Sequence, residues 1–507
     1  MQTRATRRRF LLSAPVGLYA VSAYTIVGAD QAKADPSAGS LVELTATEAV
    51  PLLRSGELSA ERYTQALLDQ CRKQRALNAF IWQDETQVLE AARTADKKRG
   101  AQRLGPLHGL PILVKDNIDT ANAPTTAGTP ALRDHHPVYH APVVASLFSA
   151  GAILLGKTNM HELAYGITSN NAAFGAVHNP YNPAMIPGGS SGGNGAAIAA
   201  RMCPAGLGTD TGGSVRIPAA LCGIVSLRPT VGRYPRAGIV PLSGTMDTAG
   251  PMARSVEDLV LLDSVVTGRL GPVLPAALKG LRLGVPRGFF YDNLDPSLAP
   301  VIENALATLR RAGCVLVEAD IPDLEKLYTA ARPPISYYEM FHDLSRYLHE
   351  SSGQVDAKSV IARIASPDVK ASYQTLGIGP LAPTREAYET AMKQGRPAVQ
   401  ACYRDYFRAH NVPAIVFPTT ILPARPIGQD SEVELNGRKF PTLAIYTHNA
   451  RPMTVTGIPG MSLPVGLTNA GLPVGLELDA PEGTDRQLLS LGLSIERLFG
   501  RLPAPQA

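Results

Sequence analysis

Cysteine is scarce and unpatterned in this 507-residue chain: five residues, at 71, 203, 222, 314 and 402, an odd number with no C-x-x-C spacing. That excludes a disulfide framework or a thiolate metal site as the organising principle, and it reads as five isolated apolar thiols. Histidine is almost as sparse, with ten residues lacking any ligand spacing. His161-Glu162 begins like the zinc motif H-E-x-x-H, but Tyr165 stands where the second ligand belongs, so no metal or other cofactor is expected. Internal repeats and low-complexity tracts are missing as well. Charged residues make up only 18% of the chain, and the net charge is +5. Residues 1–34 hold +4 of that charge, leaving about +1 for everything after them, which argues against a nucleic-acid partner. Past residue 34 no run is long and apolar enough to span a membrane.

What is present begins with the leader. Thr6-Arg-Arg-Arg-Phe-Leu-Leu12 precedes an uncharged, mostly apolar run to Ala29 and a small-x-small pattern at Ala32-Lys-Ala34. Charged, apolar and small-residue regions in that order read as a secretory signal. The paired arginines followed by x-Phe-Leu resemble a twin-arginine export signal, with Leu12 where a lysine is common. The expectation is a signal over 1–34, cleavage near Asp35, a periplasmic enzyme over 35–507 and no retained anchor. An uncleaved anchor is the alternative, because Phe10 to Ala29 reaches the length of about 20 residues that a span needs.

The remainder has a globular α/β composition, rich in Gly (46) and Pro (42). Leu44 to Gln74 has helical periodicity, with a capping start at Ser59-Ala-Glu-Arg. Strands are predicted at 109–114, ending on Lys115, and at 152–155, 204–208, 281–285, 314–318, 416–418, 461–464 and 472–478. Helices are predicted at 143–150, after the first glycine run at 196–200, at 298–312 and at the end of the chain. Residues 322–412 read as mostly helical, broken at Pro333-Pro334 and over 377–383, and as a cap above the site. The fold class is α/β: one large α/β/α domain around a mixed β-sheet, with this helical excursion inserted late.

Three segments carry chemistry: Pro111-Ile-Leu-Val-Lys-Asp-Asn117, Pro187-Gly-Gly-Ser-Ser-Gly-Gly193 and Gly208-Thr-Asp-Thr-Gly-Gly-Ser-Val-Arg216. Amide hydrolysis by a serine needs a base, donors for the tetrahedral oxyanion, a proton for the leaving amine and later a water. Glycines in Thr211-Gly-Gly-Ser214 can aim successive backbone N–H groups at one point, so Thr211, Gly212, Gly213 and Ser214 are the candidate oxyanion donors and Ser214 the nucleophile. Lys115 is the candidate base. A free lysine titrates near 10.4, and burial behind an apolar strand lowers that value toward a useful range. Asp116 and Asp119 would oppose that shift, so they are expected to point away. Ser190 would relay the proton between Ser214 and Lys115.

The wording and order of these segments, Lys then Ser then Ser with Gly-Thr-Asp-x-Gly-Gly-Ser-x-Arg-x-Pro, resemble the amidase signature family of serine hydrolases over almost the whole chain after residue 41. The resemblance implies a cis peptide at Gly189–Ser190, hydrogen-bonding support from Ser191, and pairing of Asp210 with Arg216 to fix the nucleophile loop. Within the family, Lys157-Thr-Asn-Met-His-Glu-Leu163, Tyr165-Gly-Ile-Thr-Ser169 and Gly175-Ala-Val-His-Asn-Pro180 look like bacterial indoleacetamide and mandelamide hydrolases. That likeness implies small primary amides of arylacetic acids as substrates and the acid and ammonia as products; a homodimer is compatible with the chain, whose sequence does not fix its oligomeric state. Met160, His161, Tyr165, Thr168 and His448, within Tyr446-Thr-His-Asn449, are the candidate acyl-pocket residues, although core packing explains each as well.

Competing readings follow from the same residues. Gly189-Ser-Ser-Gly-Gly193 also fits the nucleophile elbow G-x-S-x-G, which would make Ser191 the nucleophile and require a histidine such as His342 or His448. That reading leaves Lys115 and the second glycine run without a purpose. A glutaminase-type amidotransferase subunit shares the signature but needs partner subunits and tRNA. Ester or carbamate hydrolysis would use the same oxyanion loop.

Overall fold

Short runs of aliphatic residues pair into one eleven-stranded sheet. In chain order the strands are β1 (Phe80–Trp82), β2 (Pro111–Lys115), β3 (Ile153–Thr158), β4 (Ala205–Asp210), β5 (Val225–Arg228), β6 (Thr248–Ala253), β7 (Arg282–Gly284), β8 (Val315–Val317), β9 (Ile415–Pro418), β10 (Gly460–Leu467) and β11 (Pro473–Asp479). Across the sheet they lie in the order β1-β3-β2-β4-β6-β5-β10-β11-β9-β7-β8. The computed structural model describes residues 38–100, 103–351 and 355–505. The export signal expected over 1–34 lies outside them.

The sheet is mixed, as expected. β3, β2 and β4 run parallel at one end and β9, β7 and β8 at the other, with antiparallel pairings between. Helices cover both faces, which is why β2 and β3 are buried at every position and both open on apolar runs. All the strands expected from the sequence form, with ends shifted by up to three residues. Residues 44–74 form two helices, Ala46–Ser55 and Ala60–Lys73. The second is capped by Ser59, whose hydroxyl accepts from the Arg62 amide at 3.1 Å.

Three strands, β1, β5 and β6, fall outside the sequence expectation. β6 is Thr-Ala-Gly-Pro-Met-Ala, a composition that argues against a strand, yet it pairs with β4 along its whole length from Ala253↔Ala205 to Thr248↔Asp210. Small residues on both strands fit that register, so tertiary pairing overrides propensity.

The late excursion falls between β8 and β9 and is helical. Here the sequence expectation needs one correction: Pro333-Pro334 does not break it. A single helix runs Leu324–Ser351 through both prolines. It is held by packing, because Ala331 and Ile335, which flank the proline pair, are buried in one cluster and Met340 and Leu344, beyond it, in another. The break at 377–383 does form, as a connection after Gly377 before the helix Arg385–Thr390. The excursion bonds directly to loops at the edge of the sheet. The Glu339 carboxylate accepts from the Thr245 amide at 3.0 Å, Asp343 from the Gly244 amide at 2.6 Å, and the Tyr347 hydroxyl donates to Asp119 at 2.8 Å.

All five cysteines are free thiols. Among the described residues no helix is long and apolar enough to cross a membrane.

Candidate active site

β2 and β4 are parallel neighbours, with Val114 opposite Leu207, so Lys115 and Thr209 emerge together at the same end of the sheet. The C-terminal edge of a parallel sheet is where open α/β folds place ligands. Lys115 Nζ lies 2.8 Å from Ser190 Oγ and 2.8 Å from Thr209 Oγ1, and its side chain is fully buried. Burial is the dominant influence on this amine and pulls it from the usual lysine range down to about 7, against a weaker upward pull from Asp210 and Asp247.

The neighbouring carboxylates turn away from it. Asp116 faces the buried Lys157, 3.3 Å from its Nζ, and accepts from the Thr126 amide at 3.0 Å. Asp119 accepts from Tyr347, and burial lifts it to about 6.

Ser190 and Ser191 lead into the helix Gly192–Ala199, and Ser214 sits just ahead of the helix Arg216–Cys222. The Gly189–Ser190 peptide is cis. The Ser190 carbonyl accepts from the His161 amide at 3.1 Å, and the Ser191 amide donates to the Ser214 carbonyl at 3.2 Å, so the two glycine runs are tied together. The Ser191 hydroxyl donates to the Thr209 carbonyl at 3.3 Å. Accessibility separates the three serines: Ser190 and Ser191 are fully buried, whereas Ser214 retains 8% exposure. Among the described residues nothing hydrogen-bonds the Ser214 hydroxyl.

The Thr211–Ser214 loop is built around one carboxylate. Asp210 accepts from the Gly213 amide at 2.9 Å, the Val215 amide at 3.2 Å, Arg216 at 3.0 and 3.1 Å, and Arg228 at 2.9 Å. Burial alone would raise its pKa, but the two guanidinium groups hold it well below the usual carboxylate range. Arg216 also reaches Glu477 and the Ala450 carbonyl. Gly213 has φ +114°, and a Cβ there would lie 2.7 Å from both the Ala450 Cβ and Ile217 Cδ1, so only glycine fits. The Gly213 amide is therefore committed to Asp210. Among the described residues no group accepts from the amides of Thr211, Gly212 or Ser214. The Thr211 hydroxyl donates to Asp247 at 2.5 Å. Asp247 is raised to about 6 by burial, against the pull of that hydroxyl and two backbone amides.

The acyl-pocket candidates divide. Met160 is buried, and its amide donates to its neighbour Asn159. His161 has both ring nitrogens engaged, Nδ1 by the Ser169 amide at 3.2 Å and Nε2 by Asp368 at 3.1 Å. The Thr168 hydroxyl donates to Asp430 at 2.5 Å. The His448 ring stacks on Phe289 at 4.2 Å. His342 is exposed and stacked on Tyr338, so neither histidine required by the Ser191 elbow reading sits on Ser191. Tyr165 makes an edge contact with Tyr373.

Sequence reasoning missed Thr209, Asn117, Arg228, Asp247, Glu477 and Asp479. Thr209 and Asn117 lie inside the quoted motifs and were legible there; Glu477 and Asp479 arrive from β11, 261 residues from Arg216 in the case of Glu477. Among the described residues no group of three or more His, Cys, Asp or Glu is arranged to hold a metal.

The chain as a whole is similar to known proteins. The family model described as amidase matches residues 62–489. An indoleacetamide hydrolase of Agrobacterium vitis is 47% identical over 445 residues, spanning 88% of this chain and 95% of its own. A mandelamide hydrolase of Pseudomonas putida is 39% identical over 497 residues, spanning 94% and 96%. The solved structure of a peptide amidase from Stenotrophomonas maltophilia superposes with a TM-score of 0.77 at 31% identity, covering 92% of this chain and 98% of the other.

Proposed function

The chain belongs to the amidase family and is a hydrolase of amide C–N bonds, and from that premise we propose that it converts small, arylacetic-type primary amides to the acid and ammonia through a serine acyl-enzyme. The observation that supports this best is the contrast within the site. A buried lysine with a depressed pKa is bonded to a buried serine, and the one serine retaining exposure lies on the adjoining loop.

In this reading neutral Lys115 takes a proton from Ser190 as Ser190 takes one from Ser214. Ser214 Oγ bonds to the carbonyl carbon, and the uncommitted amides of Thr211, Gly212 and Ser214 hold the oxyanion. The C–N bond then breaks, and the proton returns through Ser190 to the departing ammonia. Water cleaves the ester, releasing the acid and restoring Ser214. The aryl preference is supported by the indoleacetamide and mandelamide hydrolase relatives. Export to the periplasm is proposed from the Arg7-Arg8 leader; Arg7→Lys with Arg8→Lys should hold the enzyme in the cytoplasmic fraction.

The test is ammonia release from indole-3-acetamide, mandelamide, phenylacetamide, an aliphatic amide and glutamine, with acid release from an aryl ester followed in parallel, for the protein and its Ser214→Ala variant. Ser214-dependent turnover highest on the arylacetamides is the expected result. Turnover of glutamine or the ester alone would overturn the substrate assignment, and turnover surviving in Ser214→Ala would overturn the nucleophile.

A further inference from the structure

Four arginines are buried in the described residues: Arg216, Arg228, Arg254 and Arg332. Three have the partners a buried cation requires. Arg216 and Arg228 share Asp210, and Arg254 donates to the carbonyls of Cys203 and Leu44. Arg332 has none. No hydrogen bond or ion pair joins its guanidinium to another described residue, and its Nε is buried without a partner.

Its surroundings make this costlier. A Cβ placed on Gly212 would lie 3.3 Å from Arg332 Nη2 and 3.5 Å from Arg451 Cγ, so both arginines rest on the nucleophile loop two residues before Ser214. The Arg451 side chain is half-buried, and its Nε also lacks a partner. After burial, the strongest electrostatic influences on Arg332 are Arg451 and the phenols of Tyr337, Tyr328 and Tyr165, with no carboxylate among them. Two guanidinium groups side by side repel each other, and each presents a planar fork of donors matched to a carboxylate. Arg451 is fixed there by the loop itself, because the Ala450 carbonyl accepts from Arg216 at 3.1 Å.

We infer that Arg332 and Arg451 form a carboxylate subsite beside the nucleophile loop, so that the enzyme favours primary amides whose acyl group carries an acid. The inference rests on Ser214 being the amidase nucleophile and narrows the substrate class of that same site. The bound acid would supply the counter-charge that the pair lacks, and the tyrosines would flank the rest of the acyl group.

The test compares phenylacetamide carrying a carboxylate at the α-carbon, or at the 3- or 4-position of the ring, with its 3- or 4-nitro counterpart, which has similar shape and no charge. For the full chain, kcat/KM should be at least about tenfold higher on the best carboxylated amide than on its nitro counterpart. That ratio should fall to near one in Arg332→Met and in Arg451→Met, chiefly through KM, and recover in part in the Arg→Lys variants. No preference in the wild type, or equal losses on charged and neutral amides, would overturn the subsite; the second pattern would indicate that the pair serves the oxyanion. Binding to Ser214→Ala, measured by calorimetry, is independent of turnover and of whether the arginine variants fold. Tighter binding of the carboxylated amide than of the nitro amide supports the subsite even if the proposed nucleophile fails, and equal binding refutes it even if turnover is Ser214-dependent.

Discussion

The Lys115 amine is held 2.8 Å from the Thr209 hydroxyl, across the neighbouring parallel strands β2 and β4. Thr209 also accepts from the Asn117 amide at 3.1 Å, so the lysine is gripped on the side opposite Ser190 by a hydroxyl that is itself oriented. Removing this grip should leave the fold intact and disturb the amine. Thr209→Val is expected to cut kcat/KM by about tenfold, the size of one lost hydrogen bond. An oxygen that accepts from the ammonium favours the charged form, so its loss should also move the ascending limb of the pH profile to lower pH. An unmoved limb would show that Thr209 does not act on Lys115.

Lys115 must be neutral to accept a proton, and burial brings it to about 7. The kcat/KM of the wild type should therefore rise with pH through about 7 and then level off. Lys115→Ala should lose roughly 10²–10⁴-fold and should lack that ascending limb. Retention of near-wild-type turnover by the variant would remove Lys115 from the mechanism.

Gly213 carries φ +114° with no room for a Cβ. Gly213→Ala has to displace Ala450 or Ile217, and with either the loop that Asp210 organises. Loss of about 10²–10³-fold in kcat is expected, comparable to losing an oxyanion donor. A native circular dichroism spectrum beside that loss would place the effect in the loop and not in global unfolding.

Behind the loop, Glu477 and Asp479 are buried together on β11. Burial raises Glu477 to about 7, and burial together with Glu477 raises Asp479 well above the carboxylate range. Both Asp479 oxygens lack partners. A carboxyl whose folded value lies above its unfolded one keeps its proton longer in the native state. Raising the pH above about 4 strips the unfolded chain first, so stability falls as pH rises from there through the folded values. Asp479→Asn resembles the protonated form and should flatten that decline: its urea midpoint should match the wild type near pH 4 and exceed it increasingly up to pH 8. A decline equally steep in the variant would refute the assignment.

Much of this was legible in one dimension, because it depends on residue types held close in the chain. Thr211-Gly-Gly-Ser214 favours a backbone-exposing turn, and a short apolar, β-branched run ending at Lys115 favours a buried strand that strips water from an amine. The break expected at Pro333-Pro334 was read from the same local rules and failed. There the contacts of Ala331, Ile335 and Met340 with two different clusters outweigh what two prolines cost a helix.

The sequence by itself determined the family and the reaction class, through which serines lie among glycines, which lysine lies behind apolar residues, and the order in which the segments occur. Only the tertiary structure decided the partners. Thr209 meets Lys115 because two strands run parallel in one register, Glu477 meets Arg216 from the far end of the chain, and Arg332 comes down on Gly212 from a helix inserted more than a hundred residues later. Local pattern fixes what a residue can do chemically. Burial and register, which depend on the whole sheet, determine which charge is neutralised, which is shifted and which is left waiting for a ligand.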